Sequence, residues 1–247
     1  MRWLIATYQP VGLFSLKYGE ATSTGGKSLL VPTPFAIRTA LLDVAIRVKG
    51  VAYGPEAFEL IKSLRLALGL PERIAVTNLF AKVLKPERDR ESDRAFQRTI
   101  AFREYVQLSG YLEIALGGES KTLEAMKPLL PHITYFGKRG SFFQLVGQVK
   151  ERETEENKPP EGFVSLTGPS SLDGQGQGEP PSAFPLGIIQ RLDDWGPKLT
   201  FDQVNIYNRE KGIKLGPGRV RIDVILPYRL IQAGRGFTLF ERFQTSP

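Results

Sequence analysis

Two adjacent cations between two glycines are the feature of this sequence with the most direct chemical use. Lys138 and Arg139 stand between Gly137 and Gly140, inside the stretch ITYFGKRGSFF of residues 133–143. The aromatic pairs on either side are typical of strands, so the four residues are expected to form a tight bend with glycine at positive φ. Such a bend can approach a phosphate closely, with both cations beside it. The alternative is an ordinary hairpin turn with two solvated cations.

A second group of cations lies upstream, in residues 85–103. The first half of this segment is charge-balanced and is expected to be a solvated hairpin tip. The second half combines arginines with one aromatic residue and has no acidic residue among them. Its members are Arg94, Phe96, Arg98 and Arg103. This composition suits phosphate contact and base stacking in a basic finger.

Residues 21–28, ATSTGGKS, match a loose phosphate-binding loop, with Lys27 and Ser28 at the phosphate and magnesium positions. A true loop of this kind leads straight into a helix, but residues 29–32 (LLVP) intervene here. No apolar strand ending in an acidic residue offers itself as the magnesium partner. A flexible loop with one useful lysine, Lys27, is the better interpretation.

The chain has no cysteine and a single histidine, His132. This excludes thiolate nucleophiles, cysteine-type zinc sites and histidine pairs, and no cluster of Asp and Glu stands out. We therefore expect no metal and no cofactor. His132 is close in sequence to Lys138, and together they could support metal-free RNA cleavage by acid–base catalysis. The alternative for His132 is a structural role at a helix end.

The overall charge favours an anionic partner. The 247 residues carry a formal net charge of +7 with a pI of about 9.6, which points to nucleic acid or an anionic membrane surface. No apolar run approaches the roughly 18 residues of a membrane span, so we do not expect an integral membrane protein.

The hydrophobic pattern predicts an α+β fold. Thr33 caps a helix that begins at Pro34 and ends at Gly50. The other expected elements are a strand at residues 3–8, a helix at 55–68, long strands at 74–84 and 102–116 with a bend at Gly110, a helix at 123–130 and a strand at 141–150. With the second helix set aside, this order is β-α-β-β-α-β, the ferredoxin-like arrangement. In that fold both helices cover one face of the sheet and the other face is free for RNA, as in RRM domains.

We expect two parts in the chain. Residues 1–150 would form the ferredoxin-like RNA-binding domain, and residues 151–247 a smaller β-rich part. A Ser-, Gly- and Pro-rich segment at about residues 168–183 is expected to be a flexible loop.

Two segments resemble a known family. The stretch YFGKRGSFF of residues 135–143 and the stretch PTPFAIRTALL of residues 32–42 are similar to motifs of the CRISPR-associated protein 5 family, in the RAMP superfamily. The second stretch contains Arg38, and Thr39 stands where glycine is common in the family. The resemblance covers residues 1–150 in order and spacing.

The resemblance implies a function that composition alone does not. Members of this family hold the 5′ handle of the crRNA in Cascade-type complexes, cap the backbone filament and reach over the guide with a long β-hairpin thumb. The insertion at residues 85–101 occupies the place of that thumb. The implied partners are crRNA, the backbone filament, the large subunit and, through the complex, target DNA, in a cytoplasmic ribonucleoprotein without membrane contact.

The resemblance also implies how the cations would be used. Lys138 and Arg139 would contact handle phosphates, with help from Arg38, Arg94, Arg98 and Arg103. A minority branch of the family cleaves precursor crRNA without metal, using tyrosine, lysine and histidine. That triad does not match this sequence residue by residue, so we expect a non-catalytic subunit. The alternative is a metal-independent endoribonuclease that uses His132 and Lys138.

Overall fold

The computed structural model describes residues 1–19, 25–87, 93–155, 158–167, 186–205, 213 and 216–243. Within these ranges the protein is a mixed α/β structure. Its strands are β1 (Arg2–Pro10), β2 (Leu16–Lys17), β3 (Gly25–Gly26), β4 (Ser28–Leu29), β5 (Arg65–Gly69), β6 (Arg73–Pro86), β7 (Phe96–Ser109), β8 (Leu112–Gly118), β9 (Phe143–Leu145), β10 (Lys150–Glu153), β11 (Phe163–Ser165), β12 (Ile188–Trp195), β13 (Arg219–Leu226), β14 (Tyr228–Ala233) and β15 (Phe237–Arg242). Its helices are α1 (Pro34–Lys49), α2 (Gly54–Ser63), α3 (Ser120–Met126) and α4 (Phe201–Val204), with 3₁₀ segments at Val51–Tyr53 and Lys127–His132.

The main sheet has the strand order β10-β1-β8-β5-β11, and β9 pairs with β1 beyond the end of β10. All of its pairings are antiparallel. The helices α1 and α2 connect β1 to β5, and α3 with its 3₁₀ extension connects β8 to β9. Leu4, Ala6 and Tyr8 of β1 pack in one core with the apolar sides of these helices.

The start and end of α1 follow from local chemistry. The Thr33 side chain accepts a hydrogen bond from the backbone N–H of Ala36 at 3.0 Å, Pro34 takes the first helical position, and Gly50 ends the helix at φ +87°. These limits agree with the prediction from Thr33, Pro34 and Gly50.

The second helix is shorter than predicted. It ends at Ser63, and the residues that follow form strand β5 instead of the last turn of a helix. Leu66 and Leu68 face the helices while Ala67 faces the other side of the sheet, and all three are buried. A short apolar run that is buried on both faces fits a helix or a central strand equally well by pattern, and the pairing with β8 decides it here.

The face of the main sheet without helices is closed, so the expectation of a free RNA-binding face is wrong. Trp3, Ile5, Ala67, Ala115 and Phe163 form a second buried cluster there. The chain between β10 and β11 has to join opposite edges of the sheet, and its residues take part in the closure. Trp3 Nε1 donates to Thr154 Oγ1 at 3.0 Å, and Pro160 in the same connection is buried.

The second sheet is built around a long hairpin. β6 and β7 pair over 14 residues each, and β15 and β14 extend the sheet on the β6 side. The predicted bend at Gly110, with φ +119°, separates β7 from β8, so the predicted strand 102–116 is two strands. The hairpin arms begin at Arg73, earlier than the predicted thumb at 85–101. Residues 88–92 of the predicted thumb lie outside the described residues.

The strands after residue 150 are distributed over both sheets. β10 and β11 extend the main sheet, β14 and β15 extend the hairpin sheet, and the β12–β13 pair packs on α1. The division at residue 150 stays a prediction. The expected flexible loop at about 168–183 lies outside the described residues.

Candidate nucleic-acid interface

The tight bend predicted for the glycine-flanked cations is confirmed. Gly137 and Gly140 have φ +70° and +97°, and the backbone N–H of Ser141 donates to the carbonyl of Lys138 at 3.1 Å. The residues that flank the turn, Tyr135 and Phe142, form an isolated antiparallel β-bridge. Lys138 and Arg139 are exposed at its tip. We call residues 137–140 the cation turn.

Buried aromatic rings hold the cation turn in place. Phe136, which is fully buried, packs edge-on against Tyr8 and Phe143, with ring centroids 5.2 Å apart in both pairs. The Tyr8 hydroxyl donates to the carbonyl of Leu130 at 2.8 Å, and burial raises the pKa of Tyr8 well above its ordinary value. The turn therefore packs against the C-terminal end of β1, which is itself hydrogen-bonded to the preceding 3₁₀ segment.

The cation turn packs against a pair of short strands, β2 and β4, whose residues include or adjoin two further lysines. A Cβ atom on Gly137 would lie 3.3 Å from the Leu16 side chain, so the turn packs against β2. Lys17, the next residue, is exposed and pairs with Ser28, which follows the exposed Lys27. Lys17 was missed from the sequence because a single cation in a short irregular segment has no periodic signal.

The residues just before Lys27 form strand β3, which pairs with the hairpin strand β7. β3 runs parallel to β7, so that Gly26 is opposite Arg103. A Cβ atom on Gly26 would lie 2.5 Å from Arg103 Nη1, so the guanidinium rests against the glycine backbone. Lys27 and Arg103, predicted from different motifs, are thus brought close together.

The geometry around Ser28 also excludes the phosphate-binding loop that residues 21–28 match by pattern. Ser28 begins strand β4 and not a helix, and its backbone N–H donates to a carboxylate oxygen of Glu104 at 2.9 Å. A carboxylate in the position of the phosphate would repel a bound anion. The flexible-loop interpretation is also wrong for residues 25–28, because β3 pairs with β7 and β4 pairs with β2 there, and residues 21–24 lie outside the described residues.

The outer half of the hairpin is an exposed two-stranded ribbon. β15 pairs with β6 only along residues 73–77, and β3 pairs with β7 only at residues 102–103. Beyond these pairings, at residues 81–86 and 96–101, the ribbon has no neighbouring strand among the described residues. Directly opposite residues share a face, and one face carries large apolar side chains that are about half exposed. They are Phe80, Leu84, Phe96, Ile100 and Phe102.

Two cations share this aromatic face. Lys82 is opposite Ile100, and Arg98 is opposite Leu84. Arg94 is exposed just before Phe96. Phe80 and Lys82 were missed because residues 74–84 were interpreted only as a strand, without its partner. The alternation of apolar and cationic residues at Phe80, Lys82 and Leu84 was the available signal.

Arg38 does not belong to this surface, contrary to the prediction. It is only 4% exposed and faces the core between α1, α2 and β12. Nε and Nη2 donate to the carboxylate of Asp194 at 2.9 and 3.4 Å. Nη1 and Nη2 donate to the carbonyls at the end of α2, of Ile61, Lys62 and Leu64. With all five N–H donors engaged, Arg38 satisfies a helix terminus and has none left for a phosphate.

His132 and Lys138, the pair predicted for metal-free cleavage, are both exposed. His132 is exposed at the end of the 3₁₀ segment, and its carbonyl accepts a hydrogen bond from Arg47. Within the described part of the chain, no hydrogen bond or ion pair joins the side chains of His132 and Lys138. Catalysis by this pair stays a prediction.

The described ranges contain no group of three or more His, Cys, Asp or Glu side chains placed to hold a metal ion. None of their helices is both long and apolar enough to cross a membrane.

A curated relative covers almost the whole chain. It is the CRISPR-associated protein Cas5 of Archaeoglobus fulgidus, 24% identical over 214 residues, which are 86% of this chain and 88% of the relative. The chain resembles a Cas5 protein. The family resemblance predicted from the cation turn and from the start of α1 is thereby confirmed. No family model matches the chain.

Two solved structures are among those similar to the chain. One is the crystal structure of a CRISPR protein from Archaeoglobus fulgidus, with a TM-score of 0.47, 12% identity and coverage of 98% of this chain and 92% of the other. Another is a chain of a CRISPR RNA-guided surveillance complex, with a TM-score of 0.37, 13% identity and coverage of 91% and 90%.

Proposed function

We propose that this protein is a non-catalytic, crRNA-binding subunit of a Cascade-type CRISPR effector in antiviral defence, which grips the 5′ handle of the guide and caps the backbone filament. The observation that carries the proposal is the pair of exposed cations, Lys138 and Arg139, held in a tight turn between two glycines. The similarity to a CRISPR-associated protein Cas5 supports it.

The chemistry of the turn suits a phosphate. At Gly137 and Gly140 no side chain shields the backbone, and an anion can approach the amides and both cations together. Lys17 and Lys27 extend the positive surface along the neighbouring backbone, and the net charge of +7 attracts a polyanion from a distance.

We also propose that the first half of the chain is ferredoxin-like and related to RRM domains. In support, the strands equivalent to the second, third and fourth of that motif are β5, β8 and β9 with β10. Their order in the sheet, with β1 between β8 and the last pair, is that of the motif. Because the helix-free face is closed, RNA would bind at the end of the sheet, where the cation turn lies.

The hairpin is the proposed thumb. Its aromatic face offers rings for stacking, and Lys82, Arg94 and Arg98 offer charges for phosphates, a combination that binds single strands without base selectivity. The partners in this proposal are crRNA, the backbone filament and large subunit, and target DNA through the complex.

Replacing Lys138 and Arg139 by alanine is expected to weaken handle RNA binding about 10-fold or more. Two phosphate contacts on a single strand contribute about 1.4 to the slope of log K against log salt, so the slope should flatten by that amount. The measurement is RNA affinity of the reconstituted effector complex over a range of salt.

The matched control is Lys150→Ala with Arg152→Ala. Both side chains are exposed on β10, and the pair changes the net charge by the same amount. Equal salt slopes for the two double variants would assign the effect to net charge alone and contradict the proposed role of the turn.

Incubating the protein with repeat RNA in EDTA is expected to leave the RNA intact. His132 and Lys138 have no contact that would couple them as acid and base, and a non-catalytic subunit needs none. The RNA is followed by denaturing gel electrophoresis. A discrete product that disappears in His132→Ala would replace the proposal with the endoribonuclease.

A further inference from the structure

A cleft of about 940 Å³ opens at the end of the main sheet opposite to the cation turn. It lies between α2, the first residue of β5 and the passage from β8 into α3. The first residue of β1 pairs with Gly118 in the lining of the cleft, and its last residue pairs with Phe143 beside the turn. The nine residues of β1 span about 26 Å at roughly 3.3 Å per residue, so the cleft is a separate surface from the turn.

The rim of this cleft carries five ionisable side chains, three acidic and two basic. They are Glu56, Glu59, Glu119, Arg65 and Lys121. Among the described residues, none of these five side chains has a hydrogen bond or an ion pair. The rim is therefore net negative on a chain whose formal net charge is +7. We call these five residues, with the lining between them, the acidic cleft.

The floor of the acidic cleft is apolar and contains one buried polar side chain. Leu60 packs on the core of the helix side and Met1 on the buried cluster of the other side, and both are half-buried. Thr122 is 6% exposed, and its hydroxyl has no hydrogen-bond partner among the described residues. In the described part of the chain, the fully enclosed polar atoms without a partner do not include this hydroxyl, so it faces the cleft. A polar group that enters the cleft would satisfy it.

A phosphate backbone does not fit the acidic cleft. Glu56 and Glu59 lie one turn apart on the exposed side of α2, and Glu119 adds a third carboxylate to the rim. These negative charges repel a phosphate. A metal ion does not fit either, because no three carboxylates of the described ranges are placed to hold one.

Separate positive charges on apolar stems fit both the rim and the floor. Lys and Arg side chains cover apolar surface with their methylene stems while the charged heads stay at the surface. In the cleft such a stem would lie on Leu60, and its head would reach Glu56 or Glu59 on α2. An acidic residue of the same segment would face Arg65 on β5 and Lys121 on α3. A segment laid in the opposite direction would place like charges together, so the rim also selects the direction of binding.

We infer that the acidic cleft docks a segment of another protein that presents basic residues, an apolar residue and an acidic residue in that order. This inference rests on the proposed function, since it takes the chain to be a subunit of a complex with several proteins. The cation turn and the acidic cleft lie at opposite ends of β1, so RNA and this protein segment would bind at the same time.

The test is a competition for assembly. Equal amounts of tagged wild type and untagged variant compete for limiting crRNA and the other purified effector subunits, and quantitative mass spectrometry measures the incorporated ratio. Glu56→Gln with Glu59→Gln is expected to be incorporated about 10-fold less than the wild type, and the difference should shrink at high salt. Thr122→Val keeps the shape of the side chain and should be incorporated about 3-fold less.

The matched control is Glu72→Gln with Glu161→Gln, which changes the net charge by the same amount. Both side chains are exposed near Gly69, at the end of β5 away from the cleft. The control should be incorporated as well as the wild type, and the cleft variants should bind handle RNA with the same affinity as the control.

The other outcomes separate this inference from the proposed function. Equal incorporation of the cleft variants and the control would overturn the docking site alone. Weaker handle RNA binding by the cleft variants than by the control would assign the cleft to RNA and also overturn it. Failure of the wild type itself to bind handle RNA and to enter the complex would overturn the proposed function as well.

Discussion

Replacing Arg38 by alanine is expected to lower the free energy of unfolding by about 3–5 kcal/mol, the usual cost of removing one partner of a buried ion pair. Asp194 would lose its countercharge in the core, although the Trp195 backbone N–H would still donate to its carboxylate at 2.7 Å. The carbonyls of Ile61 and Leu64 at the end of α2 would also lose the partner that satisfies them. Urea denaturation followed by circular dichroism measures the loss.

Arg47→Ala is the matched control for this prediction. It removes an arginine from the same helix, but the ion pair of Arg47 with Asp43 is exposed, and its loss is expected to cost less than about 1 kcal/mol. If both variants unfold at the same urea concentration, Arg38 does not have the structural role assigned to it. Asp194→Ala should resemble Arg38→Ala, because it leaves the opposite charge unpaired.

Phe136→Ala is expected to cost about 3–5 kcal/mol, the range for deleting a buried phenylalanine ring. The cavity would lie directly beneath the cation turn, between Tyr8 and Phe143. The turn should then lose its fixed position, so RNA affinity should fall although both cations remain. Phe136→Leu keeps most of the apolar volume, so it should lose less of both the free energy of unfolding and the RNA affinity.

A local readout separates loss of the turn from global destabilisation. The backbone N–H of Ser141 closes the turn on the carbonyl of Lys138, so its hydrogen exchange should accelerate more in Phe136→Ala than that of amides in β8. The control is Phe142→Ala. Because the Phe142 ring is half exposed, its removal is expected to lower the free energy of unfolding by less than about 1 kcal/mol. Equal stability losses for the two variants would contradict the supporting role of Phe136.

Local signals in the sequence predicted the parts of the protein that depend on local backbone chemistry. Helix α1 begins and ends as predicted from Thr33, Pro34 and Gly50. The predicted bends have positive φ at Gly110, Gly137 and Gly140. Each of these features depends on a few neighbouring residues. Their outcome is therefore readable without knowledge of the tertiary contacts.

The features that sequence reasoning missed depend on partners far along the chain. Arg38 looks like a helix-surface cation until Asp194, 156 residues later, is placed beside it. Strand β5 looks like a helix end until β8 pairs with it. The aromatic face of the hairpin appears only when the register sets Phe80 opposite Phe102, because neither strand alone shows which residues share a face.

The ion pair between Arg38 and Asp194 also affects how the chain reaches its native state during synthesis. During synthesis, α1 and α2 leave the ribosome long before β12. Arg38 therefore has no countercharge while most of the protein is made. Closing the core around it early would bury an unpaired cation. We therefore expect the nascent α1–α2 layer to stay loosely packed until residue 194 emerges. Long-range contacts of this kind favour slow folding, so we expect the core to close only after β12 has been synthesised.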